Sequence, residues 1–374
     1  MRADDTETGT GALAVAAPLL GPFLDGLVGD VERLRVRVKP GTSAALAARR
    51  PDGELLLALA YAPHAAAKVA KTARKAGDDL VALAETDGVV VVHARADRDL
   101  PGLRSLGELD GVVTPLSYNP QRRFVGRVRG GDGARVVRVV RPSEHAVTTR
   151  GARALDGAAG TPRLLAEQPR SGVARLSWVP GRPLDAGASA ADLAAAGAAL
   201  ARLHAAPAAL PPLTGTQAAP RATARLLAHL LPRLRPRLVR LAGAVERGLA
   251  DAARDGLAAG PRPLHGDLSR DQLVVGPDGV GILDLDRAGA GDVAYDLGSL
   301  LADDRARGHA GGEVLLAAYA EHAPAPRPDA LAAHTAAHLL RRSAEPFRTC
   351  RPDWPAECVA LVEEVERLCS VTTP

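Results

Sequence analysis

The chain has 374 residues, 47% of them apolar, with a formal charge of only +4, so it is long enough for about two or three lobes and lacks the basic excess of a nucleic-acid-binding surface. Aromatic residues make up 2% of the chain, which leaves Leu, Val and Ala to fill the core and removes the stacking platforms that single-stranded nucleic acids require. Cys350, Cys358 and Cys369 form no C-x-x-C pair and are odd in number, which argues against a disulfide framework or a zinc site and for a reducing cytoplasm.

Taken in chain order, residues 1–25 read as a mobile tail, polar and Gly-rich at first, with Asp4, Asp5 and Glu7 ahead of a short apolar run. That run, Ala12 to Leu20, lacks a basic leader and is too short to span a bilayer, so no membrane contact is expected. Residues 26–110 read as a β-rich accessory unit, in which runs such as Leu34 to Val38 and Glu54 to Tyr61 alternate with Lys39-Pro40-Gly41 and Asp52-Gly53 turns. Lys68, Lys71 and Lys75 share one face of a predicted helix, read as a solvated side in preference to a phosphate-binding one.

The turn pattern returns eighty positions later, Pro40 matching Pro120 and Asp52-Gly53 matching Asp132-Gly133, with strands Arg122 to Val128 and Arg135 to Val140 in the corresponding places. This reads as a duplicated β-meander, with chance agreement of turn signals as the alternative. Residues 111–179 form the second β-rich lobe, and the Pro180-Gly181-Arg182-Pro183 turn cluster separates it from a helical lobe over 180–374. Between Arg225 and Arg247 the arginines interleave with leucines at helical spacing, the pattern of a helix with one solvated face.

The densest chemistry lies between Pro261 and Asp296. Asp267, Asp284, Asp286 and Asp292 surround two short apolar strands, Leu273 to Val275 and Gly281 to Leu285, joined by Pro277-Asp278-Gly279. Such a hairpin brings Asp267 and Asp284 to neighbouring strand ends. Phosphoryl transfer needs carboxylates so placed, because Mg²⁺ takes hard oxygen ligands and a further carboxylate must orient the attacking hydroxyl.

His265-Gly266-Asp267 followed by Gln272, and then Ile282-Leu283-Asp284-Leu285-Asp286, resemble the catalytic loop and metal-binding strand of the aminoglycoside phosphotransferase family. Trp178-Val179-Pro180-Gly181, Leu200 to His204 and Gly291 to Leu297 match that family's pattern as well, and the resemblance runs roughly from Val112 to the C-terminus. It implies an α+β, bilobal protein-kinase-like fold with a β-rich N-lobe and a helical C-lobe, here with an additional N-terminal β-meander and helix unit.

The resemblance also implies roles. Asp267 is the expected catalytic base, with His265 shaping its loop; Asp284 is the expected Mg²⁺ ligand, Asp286 an assistant, and Gln272 stands where the family has a metal-binding Asn. The family's phosphate-binding Lys falls on Arg138, with Glu144 the nearest acidic partner, while Asn119 and Gln121 occupy the nucleotide-covering turn and Trp178 the lobe junction beside the nucleotide. Asp292 and Asp296 are expected to cap or brace helix ends, and His204 to be a packed or surface residue. The implied cofactors are ATP or GTP with Mg²⁺, and the implied partner is a small-molecule hydroxyl substrate such as an aminoglycoside, a sugar or an amino alcohol.

Two departures follow a whole-chain bias, since the sequence has four lysines and Asn119 is its single asparagine. Arg in place of Lys keeps the charge but changes the geometry, and Gln in place of Asn is one methylene longer. They leave room for a pseudokinase that binds nucleotide without transfer, and a metal-dependent hydrolase is a third, weaker reading. In the accessory unit the position matching Arg138 is Ala58, so no second nucleotide site is expected there.

Overall fold

The computed structural model describes residues 11–109, 111–131, 133–213, 220–254 and 260–371. The acidic start of the chain and Asp132 of the second hairpin signal lie outside them.

The mobile-tail reading fails from residue 11 onward. Helices α1 (Gly11–Leu20) and α2 (Pro22–Val28) bury Val15, Ala16, Leu19 and Leu24 in the same core as Val36, Leu46 and Leu56. The physical reason is that these apolar side chains have a sheet to cover, and Arg33 fastens the connection by donating to Leu19 O at 3.1 Å, Gly21 O at 2.8 Å and Asp25 at 2.8 Å. Carbonyls left unpaired at a helix end are thereby satisfied.

Strands β1 (Glu32–Lys39), β2 (Ser43–Arg49), β3 (Leu55–Tyr61), β4 (Leu80–Ala84) and β5 (Val89–His93) form an antiparallel sheet in the order β1-β2-β3-β5-β4. Helix α3 (Ala67–Ala76) connects β3 to β4 and leaves Lys68, Lys71 and Lys75 exposed. Strands β6 (Val112–Asn119), β7 (Arg123–Gly130), β8 (Gly133–Val140), β9 (Leu164–Gln168) and β10 (Val173–Ser177) repeat that order as β6-β7-β8-β10-β9. Here α4 (Pro142–Thr148) and α5 (Arg150–Ala154) fill the place of α3. The turns at Pro40 and Pro120 have the same register, Lys39 opposite Ser43 and Asn119 opposite Arg123.

Past Trp178 the chain becomes helical. Strand β11 (Arg182–Pro183) and helices α6 (Ala190–His204), α7 (Pro220–Leu230) and α8 (Arg235–Arg254) precede a site hairpin flanked by short strands. These are β12 (Arg262–Leu264), β13 (Leu273–Gly276), β14 (Gly279–Ile282) and β15 (Gly289–Gly291). Helices α9 (Ala294–Arg307), α10 (Gly312–Ala320), α11 (Pro328–Arg342), α12 (Glu345–Arg348) and α13 (Trp354–Val371) complete the lobe. Strand β11 pairs with β13, so the lobe junction is hydrogen-bonded to the site hairpin itself.

Two large cores organise the molecule. One joins α6, α9 and α10 to β13 and β14 through Leu200, Leu268, Leu273, Ile282, Leu300 and Leu315. The other joins the first sheet directly to α7, α8, α11 and α13, with Leu46 and Leu56 against Leu227, Leu238, Leu339 and Val362. The N-terminal sheet is therefore built into the helical lobe.

Candidate active site

Strand β12 delivers the His265-Gly266-Asp267 loop. Gly266 has φ +85°, and a Cβ there would lie 2.1 Å from Arg287 O, so the turn admits glycine alone. Asp296, buried in the first turn of α9, accepts the backbone N–H of His265 at 2.5 Å and of Gly266 at 2.9 Å. His204 on α6 reaches the same carboxylate at 3.2 Å and Tyr319 Oη at 2.9 Å, making it a packed brace between three helices. Asp296 thus holds the loop, as well as standing at a helix start.

His265 links the loop to the second strand of the hairpin. Its Nε2 donates to Leu283 O at 2.6 Å and its Nδ1 accepts from Asp267 N at 3.3 Å, and since a carbonyl only accepts and an amide N–H only donates, the Nε2–H tautomer is fixed. Asp267 itself receives Arg341 Nη2 at 2.6 Å and faces Arg287 Nε at 3.6 Å. Burial pushes its carboxyl up, but the guanidinium groups of Arg341, Arg287 and Arg342 outweigh burial and leave it below the usual carboxylate range.

Beyond β14, Asp284 adopts a left-handed backbone with φ +64°. Arg123 Nη1, at the start of β7, lies 2.8 Å and 2.7 Å from its two oxygens and 3.2 Å from Asp286. Burial again raises the Asp284 carboxyl, and Arg123, His265 and Arg138 together more than reverse it. Arg138, 4% exposed, pairs with Asp286 and donates to Thr148 O at 2.9 Å. Glu144 binds Arg141 at 2.9 Å instead, so the partner of Arg138 comes from the hairpin and the expectation for Glu144 is corrected: the α4 side chain faces its own helix start. Burial, then repulsion from Arg123, depresses Arg138 to about 10 against the opposing pull of Asp284.

Asp267, Gln272, Asp286 and Asn119 line one cavity of about 1380 Å³ between the lobes. Asp284 stands next to it behind Arg123, and His265 lies beneath the loop. Gln121 and Trp178 are not on its wall. Gln121, with φ +60°, uses its backbone N–H on Asp97 Oδ2 at 2.7 Å, and the Trp178 ring is covered by the Arg127 guanidinium at 4.1 Å from its centroid. Asp97 also accepts from Tyr118 Oη at 2.9 Å, so the covering turn is anchored by the segment that follows β5.

Among the described residues no three His, Cys, Asp or Glu side chains cluster closely enough to hold a metal by themselves, His334 and His338 included. The donor set still fits Mg²⁺, which characteristically takes one or two carboxylates plus substrate phosphates. Asp284 offers both oxygens to a cation already, Arg123 being the stand-in. Gln272 fits less well, because its Oε1 accepts Ser269 N at 2.9 Å and closes a capping box on its own loop.

Sequence reasoning missed Arg123, Arg287 and Arg341. Arg123 follows the covering turn directly, whereas Arg341 lies at the end of α11, far from any motif.

A sheet that supplies the cation and a helical lobe that supplies the carboxylates is the division of labour of the bilobal, protein-kinase-like phosphotransferases that act on hydroxyl groups. The model of the phosphotransferase enzyme family matches residues 119–334, more than half of the sequence, and the chain belongs to that family. Solved structures share the fold. A choline/ethanolamine kinase family protein from Mesorhizobium loti is 22% identical, with a TM-score of 0.53 over 75% of this chain and 95% of that one. Choline kinase LicA from Streptococcus pneumoniae is 12% identical, with a TM-score of 0.55 over 72% and 98%. The phosphotransferase APH(2″)-IIIa, solved with GDP and kanamycin, is 18% identical, with a TM-score of 0.51 over 71% and 97%. A comparison with curated proteins finds no match. Among the described residues no helix is long and apolar enough to cross a membrane.

Proposed function

We propose that the protein transfers the γ-phosphoryl group of ATP or GTP to a hydroxyl of a small molecule, in the cytoplasm and with Mg²⁺ as the accompanying ion. The observation that carries this reading is the convergence of Asp267, Asp286 and the sheet cation Arg123 at one interlobe cavity, with Arg138 paired to Asp286 behind its wall. Asp267 is the base: Arg341 and Arg287 keep it ionised, and an ionised carboxylate accepts the hydrogen bond that aims an acceptor hydroxyl at phosphorus. As the new O–P bond forms, the bond from the γ-phosphorus to the bridging oxygen breaks, the nucleoside diphosphate leaves, and the hydroxyl proton passes to Asp267. Arg123 and Arg138 supply positive charge for the triphosphate. Asp284, with Asp286 beside it, would hold Mg²⁺, which when bound offsets charge on the phosphate oxygens.

A second reading, nucleotide binding without transfer, draws on Gln272, whose amide oxygen is engaged by Ser269 N, and on the substitution at Arg138. One experiment separates the two. With ATP, Mg²⁺ and a panel of alcohols, wild type should turn over, and Asp267→Asn should lose about 1,000-fold in kcat while nucleotide affinity is kept. Asp284→Ala should lose the metal-dependent part of nucleotide binding. Near-full turnover by Asp267→Asn ends the assignment of the base, and tight nucleotide binding with no turnover by wild type favours the second reading.

A further inference from the structure

The cavity beside Asp267 has an unusual charge. Among the described residues thirteen arginines and seven carboxylates line it, an excess of six positive charges in one concavity of a chain whose net charge is +4. Most of those arginines have a carboxylate partner. Among the described residues Arg37, Arg122 and Arg150 have none within ion-pair distance: Arg37 donates to Pro120 O at 2.9 Å, and Arg122 stands in the covering turn. Burial, then Arg122 and Arg141, depresses Arg37 to about 10, and burial with repulsion from Arg141, Arg287 and Arg348 lowers Arg122. Arg37, Arg122, Arg287 and Arg348 come from four places in the fold, and Arg122 is repelled by Arg287 and Arg348 as Arg37 is by Arg122. A cluster of that kind is relieved by an anion.

The wall also lacks what a cation would require. Phe347 is the single aromatic residue lining the cavity among those described, and it is 1% exposed, edge-on to Trp354 at 5.0 Å. Quaternary ammonium groups are recognised by aromatic cages, and a polyamine would meet the positive excess. The triphosphate's expected partners, Asp284, Asp286, Arg123 and Arg138, are paired with one another, which leaves Arg37, Arg122 and Arg348 outside that set.

We propose that the acceptor is an anionic alcohol, a small molecule carrying a phosphate or carboxylate beside its hydroxyl, whose negative group is seated by Arg122, Arg348 and Arg37. This rests on the kinase reading of the same site and gives its substrate class. It also gives the N-terminal sheet a task, because Arg37 on β1 reaches the cavity from that sheet.

The test is calorimetric titration of the full chain, saturated with Mg²⁺ and a non-hydrolysable ATP analogue. The probes are inorganic phosphate and glycerol 3-phosphate, with glycerol, choline and kanamycin as uncharged and cationic controls. Both anions should bind beside the analogue, and Arg348→Gln and Arg37→Gln should each weaken them at least fivefold while analogue affinity moves less than twofold. Intact analogue binding shows that each variant has folded. The inference is overturned by an analogue-loaded protein that takes up neither anion, by anions that compete with the analogue, by unchanged affinity in both variants, or by choline or kanamycin binding more tightly. Wild type that fails to bind the analogue at all removes the kinase reading first.

Discussion

In the sheet of β1 to β5, strands β2 and β3 are each buried over five consecutive residues, whereas β7 in the sheet of β6 to β10 alternates buried with half-exposed positions. The strand order is the same; the surroundings are not. Leu46, Leu56 and Ala58 face the helices of the C-lobe, while Ala45, Leu57 and Leu59 face Val69 of α3, so β2 and β3 are apolar on both sides. In the second, Phe124, Val137 and Val139 turn to a core with Leu100 and Leu103, and the alternation of a strand sends Arg123 and Arg138 to the other face. Val125 opposite Arg138 confirms the shared face. One topology carries phosphotransfer chemistry where a face is left open to the cleft and serves as scaffold where both are covered.

The largest expected effect breaks that comparison from the scaffold side. Ala58 is 0% exposed in an apolar core, so Ala58→Arg buries a charge with no partner and should cost several kcal/mol, leaving no soluble folded protein. Arg138→Ala, in the second sheet, where the register sets Arg138 in the place of Leu59 and not, as the sequence spacing predicts, of Ala58, should stay folded by circular dichroism yet lose about 100-fold in kcat. Retention of transfer by that variant would show that the open sheet face is not part of the chemistry. Next in size is Gly266→Ala. Its Cβ would meet Arg287 O at 2.1 Å, so the Asp267 loop must shift, and kcat should fall at least about tenfold with a smaller change in KM.

The site was legible where it is contiguous. His265-Gly266-Asp267, Gln272 and Asp284 to Asp286 sit on one hairpin, and a hairpin's register follows from its turn, so local sequence fixes their approach. The partners of Asp267 were not legible. Arg341 meets it only because α11 packs on α9, and with arginines spread along the whole chain nothing marks that one. The same even spread hides the cavity, since a net charge of +4 averages over folding that gathers arginines from β1, the covering turn, the site hairpin and α12. The N-terminal helices were misread for a related reason. Their buried side chains, Val15, Ala16, Leu19 and Leu24, lie in a stretch whose exposed positions, such as Ala14, Ala17 and Phe23, are apolar too, so the two faces carry no amphipathic contrast.

The smallest expected effect asks whether the scaffold sheet acts as a clamp on the helical lobe. Glu345, at the start of α12, receives Arg35 of β1 at 2.9 Å and Arg348 at 2.8 Å. Burial raises its carboxyl, yet Arg35 and Arg348 outweigh burial and hold it at about 2 against an ordinary 4.5. A depressed carboxylate stabilises the folded chain above the unfolded value, so this contribution is present above about pH 4.5 and is lost as pH falls toward about 2. With Glu345 about 34% exposed, solvent screening trims it to about 1 kcal/mol. Glu345→Gln should therefore lower Tm by about 2 °C or less at pH 7 and flatten the fall of Tm between about pH 5 and pH 3 relative to wild type. Arg35→Gln should do the same, because the clamp has two ends; if it leaves that acid slope untouched while Glu345→Gln flattens it, Arg348 alone accounts for the depressed carboxylate and β1 does not grip α12 through this pair.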